Sequence, residues 1–155
     1  MRESEKRDSY RRASLQLDEL LADLDDPVAV MSTAAAVLFA AIPAASWTGF
    51  YRVVAPGLLR IGPYQGPIGC IEIPFSRGVC GAAARMLQTQ MVDDVHAVAD
   101  HIACDSQSRS EIVVPLFARG QLVAVLDIDS HEPAAFDDVD REALEALAAR
   151  IGSHL

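Results

Sequence analysis

Cys104 lies in the polar run HIACDSQSRS, and the chain turns apolar immediately afterwards, at EIVVPL. A cysteine so placed can be a buried spectator, a metal ligand or a nucleophile, and the residues around it must separate these roles. His101, three positions earlier, could help hold the thiol as thiolate, the form that attacks. Glu111 opens the apolar run, and a second run, LVAVLDID, carries Asp127 and Asp129. Strand alternation points those two aspartates to the same face. Like charges that close cannot both ionise cheaply. If Glu111 joins them at one sheet end, repulsion and partial burial leave at least one acid protonated near neutrality. The bland alternative is that these acids face solvent, or that one caps the following turn.

Two further groups could carry chemistry. Trp47, the only tryptophan, and Tyr51 share a strand face, with Gly49 between them at a point of close backbone approach. They could wall a site for a cation or a polarised sulfur, although taken without the surrounding motif core packing is the better account of them. His96, His101, Cys104 and Cys80 are the residue types zinc prefers, but no compact pair of the CxxC or HxxxH kind is present, so no metal is assigned. Nor is there a phosphate-binding glycine loop or a serine nucleophile elbow. The glycines of SRGVCGAA stand at a helix start, which suits a backbone cradle for a carboxylate.

Positioning these residues requires a sheet. From Ser46 onward the chain reads as short extended runs punctuated by Gly and Pro: SWTGFYRVV, LLRIGPYQG, CIEIP, TQMV, EIVVPLFA and QLVAVLDID. ARGQ joins the last two as a hairpin, which brings Glu111 beside the aspartates. A helix is expected at SRGVCGAAARMLQ, and another at FDDVDREALEALAARIG with Phe136, Val139, Ala143, Leu144, Leu147 and Ile151 on one face. Before the sheet, LQLDELLADL reads as an amphipathic helix, and DDP as the N-cap and first residue of the next. The predicted fold class is α+β: a mostly antiparallel sheet of about six strands with helices packed on its faces. Residues 1–15 read as an N-terminal extension, frayed or helical, ahead of a single domain over residues 16–155. The stretch from Asp93 to Ser110 is long for a connection, as binding loops and lids are.

The chain has 155 residues and a formal net charge of -9, which argues against unaided contact with nucleic acid or an acidic membrane. No charge occurs from Pro27 to Tyr51, but the stretch is alanine-rich, holds Ser32 and Thr33 and is cut by Pro43, so a buried helix is expected rather than a membrane span. The same uncharged helix, or the C-terminal one, could serve a homodimer contact. Three cysteines, Cys70, Cys80 and Cys104, behind a charged MRESEKRDSYRR start predict a reducing cytoplasm, where disulfides tend to be catalytic.

Taken in order, WTGFY, IGPYQGPIGC, IPFSRGVCGAAA, DVHAVADHIACDSQSRSEIVVPL and VLDIDS resemble the free methionine-(R)-sulfoxide reductases, a GAF-domain family. The resemblance implies a GAF-like fold, no cofactor, and a role for each residue. Cys104 is implied as the nucleophile that attacks the sulfoxide sulfur and becomes a sulfenic acid. Cys70 is implied as the resolving cysteine that closes a disulfide with it, and Cys80 as an auxiliary thiol. Asp127, Glu111 and Asp129 correspond to the acids that polarise the sulfoxide oxygen and hold the ammonium, and Trp47 with Tyr51 to the aromatic pair at the methyl group. Thioredoxin is the implied reductant. The residues themselves fit this chemistry, because thiolate attack on a sulfoxide is slow unless the oxygen is protonated, and a carboxyl kept protonated by its neighbours supplies that proton. Two other readings share part of the pattern: a non-catalytic GAF module that binds a small ligand, and a thiol redox sensor. Neither requires the three acids.

Overall fold

The computed structural model describes residues 1–98, 101, 104 and 106–155. Two helices open the chain, α1 (Glu3–Leu21) and α2 (Pro27–Ala41). The sequence divides the first stretch at residue 15, but one helix runs through it, with Tyr10, Ala13, Leu17 and Leu21 buried at helical spacing. Its N-terminal half is held by distant partners. Lys6 Nζ lies 2.6 Å from Asp140 and 3.1 Å from Asp137, and the Tyr10 hydroxyl donates to Asp140 at 2.6 Å. In α2, Pro27 supplies the fixed backbone angle of a first helical residue, and the Asp26 carboxylate accepts from Ala29 N at 2.9 Å. Val30, Met31, Ala34, Ala35, Val37 and Leu38 of α2 are buried inside the chain. Among the described residues no helix is long and apolar enough to cross a membrane.

Six strands follow: β1 (Trp47–Ala55), β2 (Leu58–Gln65), β3 (Glu72–Pro74), β4 (Gln90–Val92), β5 (Ser110–Ala118) and β6 (Gln121–Ser130). They form one sheet in the order β3-β2-β1-β6-β5-β4. Every pairing is antiparallel. The α+β class is as the sequence predicts. Between β5 and β6 the chain reverses through Arg119 and Gly120, both with positive φ (51° and 76°), the left-handed pair that a two-residue hairpin needs to match strand twist. The helix α3 (Gly78–Met86) lies between β3 and β4, and α4 (Asp138–Gly152) closes the chain behind a capping box made by Asp137 and Asp140.

The two faces of the sheet bury different things. On one, Phe50, Ile112, Val114, Leu116, Leu126 and Ile128 pack with residues of α1, α2 and α4 in a single apolar core. On the other, Trp47, Tyr51, Val113 and Val125 pack with Val79, Cys80, Ala83 and Ala84 of α3 in a smaller one. The long connection expected from Asp93 to Ser110 contains a 3-10 turn at Val95–Ala97. Residues 99, 100, 102, 103 and 105, on which part of that expectation falls, lie outside the described residues.

Candidate active site

Register places the acids. Trp47 pairs with Asp129, and Asp129 in turn with Glu111, so one rung crosses β1, β6 and β5. The next rung aligns Gly49, Asp127 and Val113. Because directly opposed residues share a face, Trp47, Glu111, Asp127 and Asp129 all stand on the α3 side. They line one pocket with Tyr51, Cys80 and Cys104, and with the start of α3 at Gly78 and Val79. Cys104 is disulfide-bonded to Cys70, their Cα atoms 5.1 Å apart. The pocket is partly open, and its inner volume is about 30 Å³, room for a water or two. Seven of the eight residues to which the resemblance gives a role line one cavity, His101 lines it with them, and Cys70 joins it through its bond to Cys104.

Burial sets the electrostatics. Glu111 is 6% exposed and Asp127 5%. Both carboxyls are held well above the usual carboxylate range, first because burial disfavours their charge and then because neighbouring carboxylates repel it. Oδ1 of Asp127 is buried without a hydrogen-bond partner among the described residues. The Cys80 thiol is likewise pushed up by burial and by the acids beside it. It is a poor exchanger in this setting, in contrast to the half-exposed pair Cys70 and Cys104. The Tyr51 hydroxyl is pushed up for the same reasons and stays neutral. His101 Nε2 lies 3.6 Å from Glu111 Oε1.

Trp47 stands between two tyrosines, its ring centroid 5.7 Å from Tyr51 and 5.1 Å from Tyr64, with both pairs stacked. Its indole N–H donates to the Pro67 carbonyl at 2.9 Å, which ties the connection after β2 to the pocket wall. Gly49 lets that wall lie flat: a Cβ there would stand 2.7 Å from the Trp47 ring and collide with Tyr64.

The four residues considered for zinc do not form a set. His96 is exposed and turned to Asp94, 3.1 Å away, and Cys104 is bonded to Cys70. Among the described residues, the group whose atoms could hold a metal is Cys80, Glu111 and Asp127, within 4.8 Å of one another. Sequence reasoning missed Ser108, which lines the pocket, is 6% exposed and has a hydroxyl with no hydrogen-bond partner among the described residues. It also missed Tyr64, whose stacking on Trp47 follows from the pairing of β1 with β2. A serine inside QSRS carries no signal of its own, whereas Tyr64 could have been found from strand alternation once the β1–β2 register was known.

The fold and the residue pattern match a family model described as GAF domain over residues 25–155, and the chain belongs to the GAF-domain family. Its relatives include the free methionine-R-sulfoxide reductase of Escherichia coli, 38% identical over 146 residues, which cover 94% of this chain and 88% of that one. A solved structure of free methionine-R-sulfoxide reductase from Neisseria meningitidis in complex with its substrate superposes with a TM-score of 0.89 at 46% identity, covering 94% of this chain and 87% of the other. The Staphylococcus aureus enzyme in complex with substrate gives a TM-score of 0.88 at 40% identity, covering 94% and 95%.

Proposed function

We propose that this protein reduces free L-methionine-(R)-sulfoxide to methionine with Cys104 as nucleophile. The observation that carries the reading is one pocket holding both a sulfur bonded to a second cysteine and carboxyls kept protonated by burial. The names of the relatives and solved structures point to the same substrate.

In this mechanism the Cys104 thiolate attacks the sulfoxide sulfur while Asp127 gives its proton to the sulfoxide oxygen. The oxygen and two oxidising equivalents pass to Cys104, leaving methionine and a cysteine sulfenic acid. The Cys70 thiol then displaces water from that sulfenic acid and closes the disulfide. Glu111 and Asp129 hold the substrate ammonium, while Trp47 and Tyr51 enclose the methyl group and sulfur. The substrate carboxylate meets the first turn of α3, where Arg77 makes no side-chain cap and the backbone N–H groups at Gly78 and Val79 border the pocket. Cys80, held protonated, donates within the acid cluster, and an auxiliary exchange role belongs to it only if burial is relieved.

The reading extends to thioredoxin as the reductant, to residence in the cytoplasm and to a homodimer. Val30, Met31, Ala34, Ala35, Val37 and Leu38 of α2 are buried within the chain, while Val28 is 63% exposed and is the large apolar residue this helix offers to such a contact. The deciding experiment incubates the protein with free methionine-(R)-sulfoxide or its (S) epimer and a dithiol, and follows methionine. Turnover of the (R) form alone is expected, and its absence would sink the proposal.

A further inference from the structure

The disulfide has two sides. Cys104 lines the acidic pocket and Cys70 does not. Cys70 lies between Ile68, which is 79% exposed and also borders the pocket mouth, and Ile71, which is 62% exposed; both are among the most exposed large apolar side chains of the described residues. The segment Tyr64 to Ile71, YQGPIGCI, carries no charged residue, in a chain whose formal net charge is -9. The Ile71 side chain is not exposed because its backbone is loose: its carbonyl accepts from Ile61 N at 2.9 Å, which fixes it to β2.

We propose that Ile68, Cys70 and Ile71 form the docking surface for a protein dithiol reductant of the thioredoxin class, and that the reductant attacks the sulfur of Cys70. It rests on the proposed reductase reading only in requiring that the disulfide be recycled. Disulfide exchange is an in-line displacement, so the attacking thiolate must approach one sulfur from the side opposite the other. Approach to Cys104 would have to enter a pocket of about 30 Å³ already lined by Trp47, Tyr51, Glu111 and Asp127. Approach to Cys70 crosses an uncharged, apolar surface that a partner can dehydrate at little cost. The first partner thiolate bonds to Cys70, the bond from Cys70 to Cys104 breaks, and Cys104 leaves as thiolate. The second partner thiol, deprotonated, attacks the partner sulfur of the mixed disulfide and releases Cys70 as a thiol. Two electrons and one proton pass to the protein, the proton lost by the second partner thiol ending on Cys70, and Cys104 stays as the thiolate that attacks the next sulfoxide.

The test uses the full chain in its disulfide form with no sulfoxide present, and follows thiol release with thioredoxin and, separately, with dithiothreitol. Ile71→Glu is expected to slow reduction by thioredoxin about tenfold or more, equivalent to ~1.4 kcal/mol, with the dithiothreitol rate unchanged. Ile71→Ser is a milder variant that keeps the test available if the charged one fails to fold. Equal losses with both reductants, or no loss with either, overturn the surface. A thioredoxin whose second active-site cysteine is replaced by serine should be trapped on Cys70, while capture on Cys104, or no capture, overturns the assignment of the attacked sulfur. Because no sulfoxide enters this assay, a protein that failed to turn over methionine sulfoxide would leave its outcome readable.

Discussion

Along β1, β5 and β6, even-numbered and odd-numbered residues go to opposite faces and to opposite ends. Phe50, Ile112, Val114, Leu126 and Ile128 enter the core shared with α1, α2 and α4. Trp47, Tyr51, Glu111, Asp127 and Asp129 face the pocket beside α3. The strands and backbone hydrogen bonds are common to both faces, so the difference lies in the side chains alone. The apolar face contributes stability through burial and close packing. The other face buries carboxyls, one with an oxygen that no hydrogen bond satisfies, and that lowers stability. One face can tolerate this because the other supplies the surplus.

Substitutions on the two faces should separate chemistry from stability. The largest expected effect is on the pocket side: Cys104→Ser abolishes methionine formation, while the thermal midpoint of the reduced protein stays within a few degrees because Cys104 is half-exposed. On the core side, Leu126→Ala should cost about 2–5 kcal/mol in denaturant unfolding while leaving kcat nearly unchanged wherever the variant is folded. Asp127→Asn is expected to lower kcat by about 10²-fold or more, the usual contribution of a positioned acid, while the thiol keeps its rate of alkylation.

The same variant sharpens the contrast through pH. Glu111 and Asp127 titrate above the usual carboxylate range when folded and near ~4 when unfolded. Between those limits the folded chain binds more protons, so stability falls as pH rises through the window. Thermal unfolding should therefore show Asp127→Asn more stable than the unsubstituted protein at pH 8, with the two converging toward pH 4. A gap of the same size at both pH values would show that the acid is not held protonated. The smallest effect is expected from Ser108→Ala, a several-fold change in kcat/KM with little change in unfolding, since its hydroxyl has no hydrogen-bond partner among the described residues.

Most of the pocket face could be read from the chain because strand periodicity is a local rule. The spacing of Asp127 and Asp129 put both on one side, and the short ARGQ hairpin brought Glu111 alongside. The assignment of Cys70 to Cys104 came only with the resemblance, since the pairing spans 34 residues of sequence. What local rules missed depends on distant partners. The continuity of α1 past residue 15 rests on Lys6 and Tyr10 meeting Asp140, more than a hundred residues on. Similarly, the burial of Cys80 against Glu111 and Asp127 depends on where α3 lies across the sheet.

Trp47 gives the protein a built-in optical reporter. As the only tryptophan in the chain, it is the source of nearly all the long-wavelength emission, and it forms one wall of the pocket that Cys104 of the Cys70–Cys104 bond also lines. Disulfides and protonated carboxyls both quench indole light, so opening the bond should brighten the protein. Each catalytic cycle can then be followed in a cuvette without label, dye or coupled enzyme.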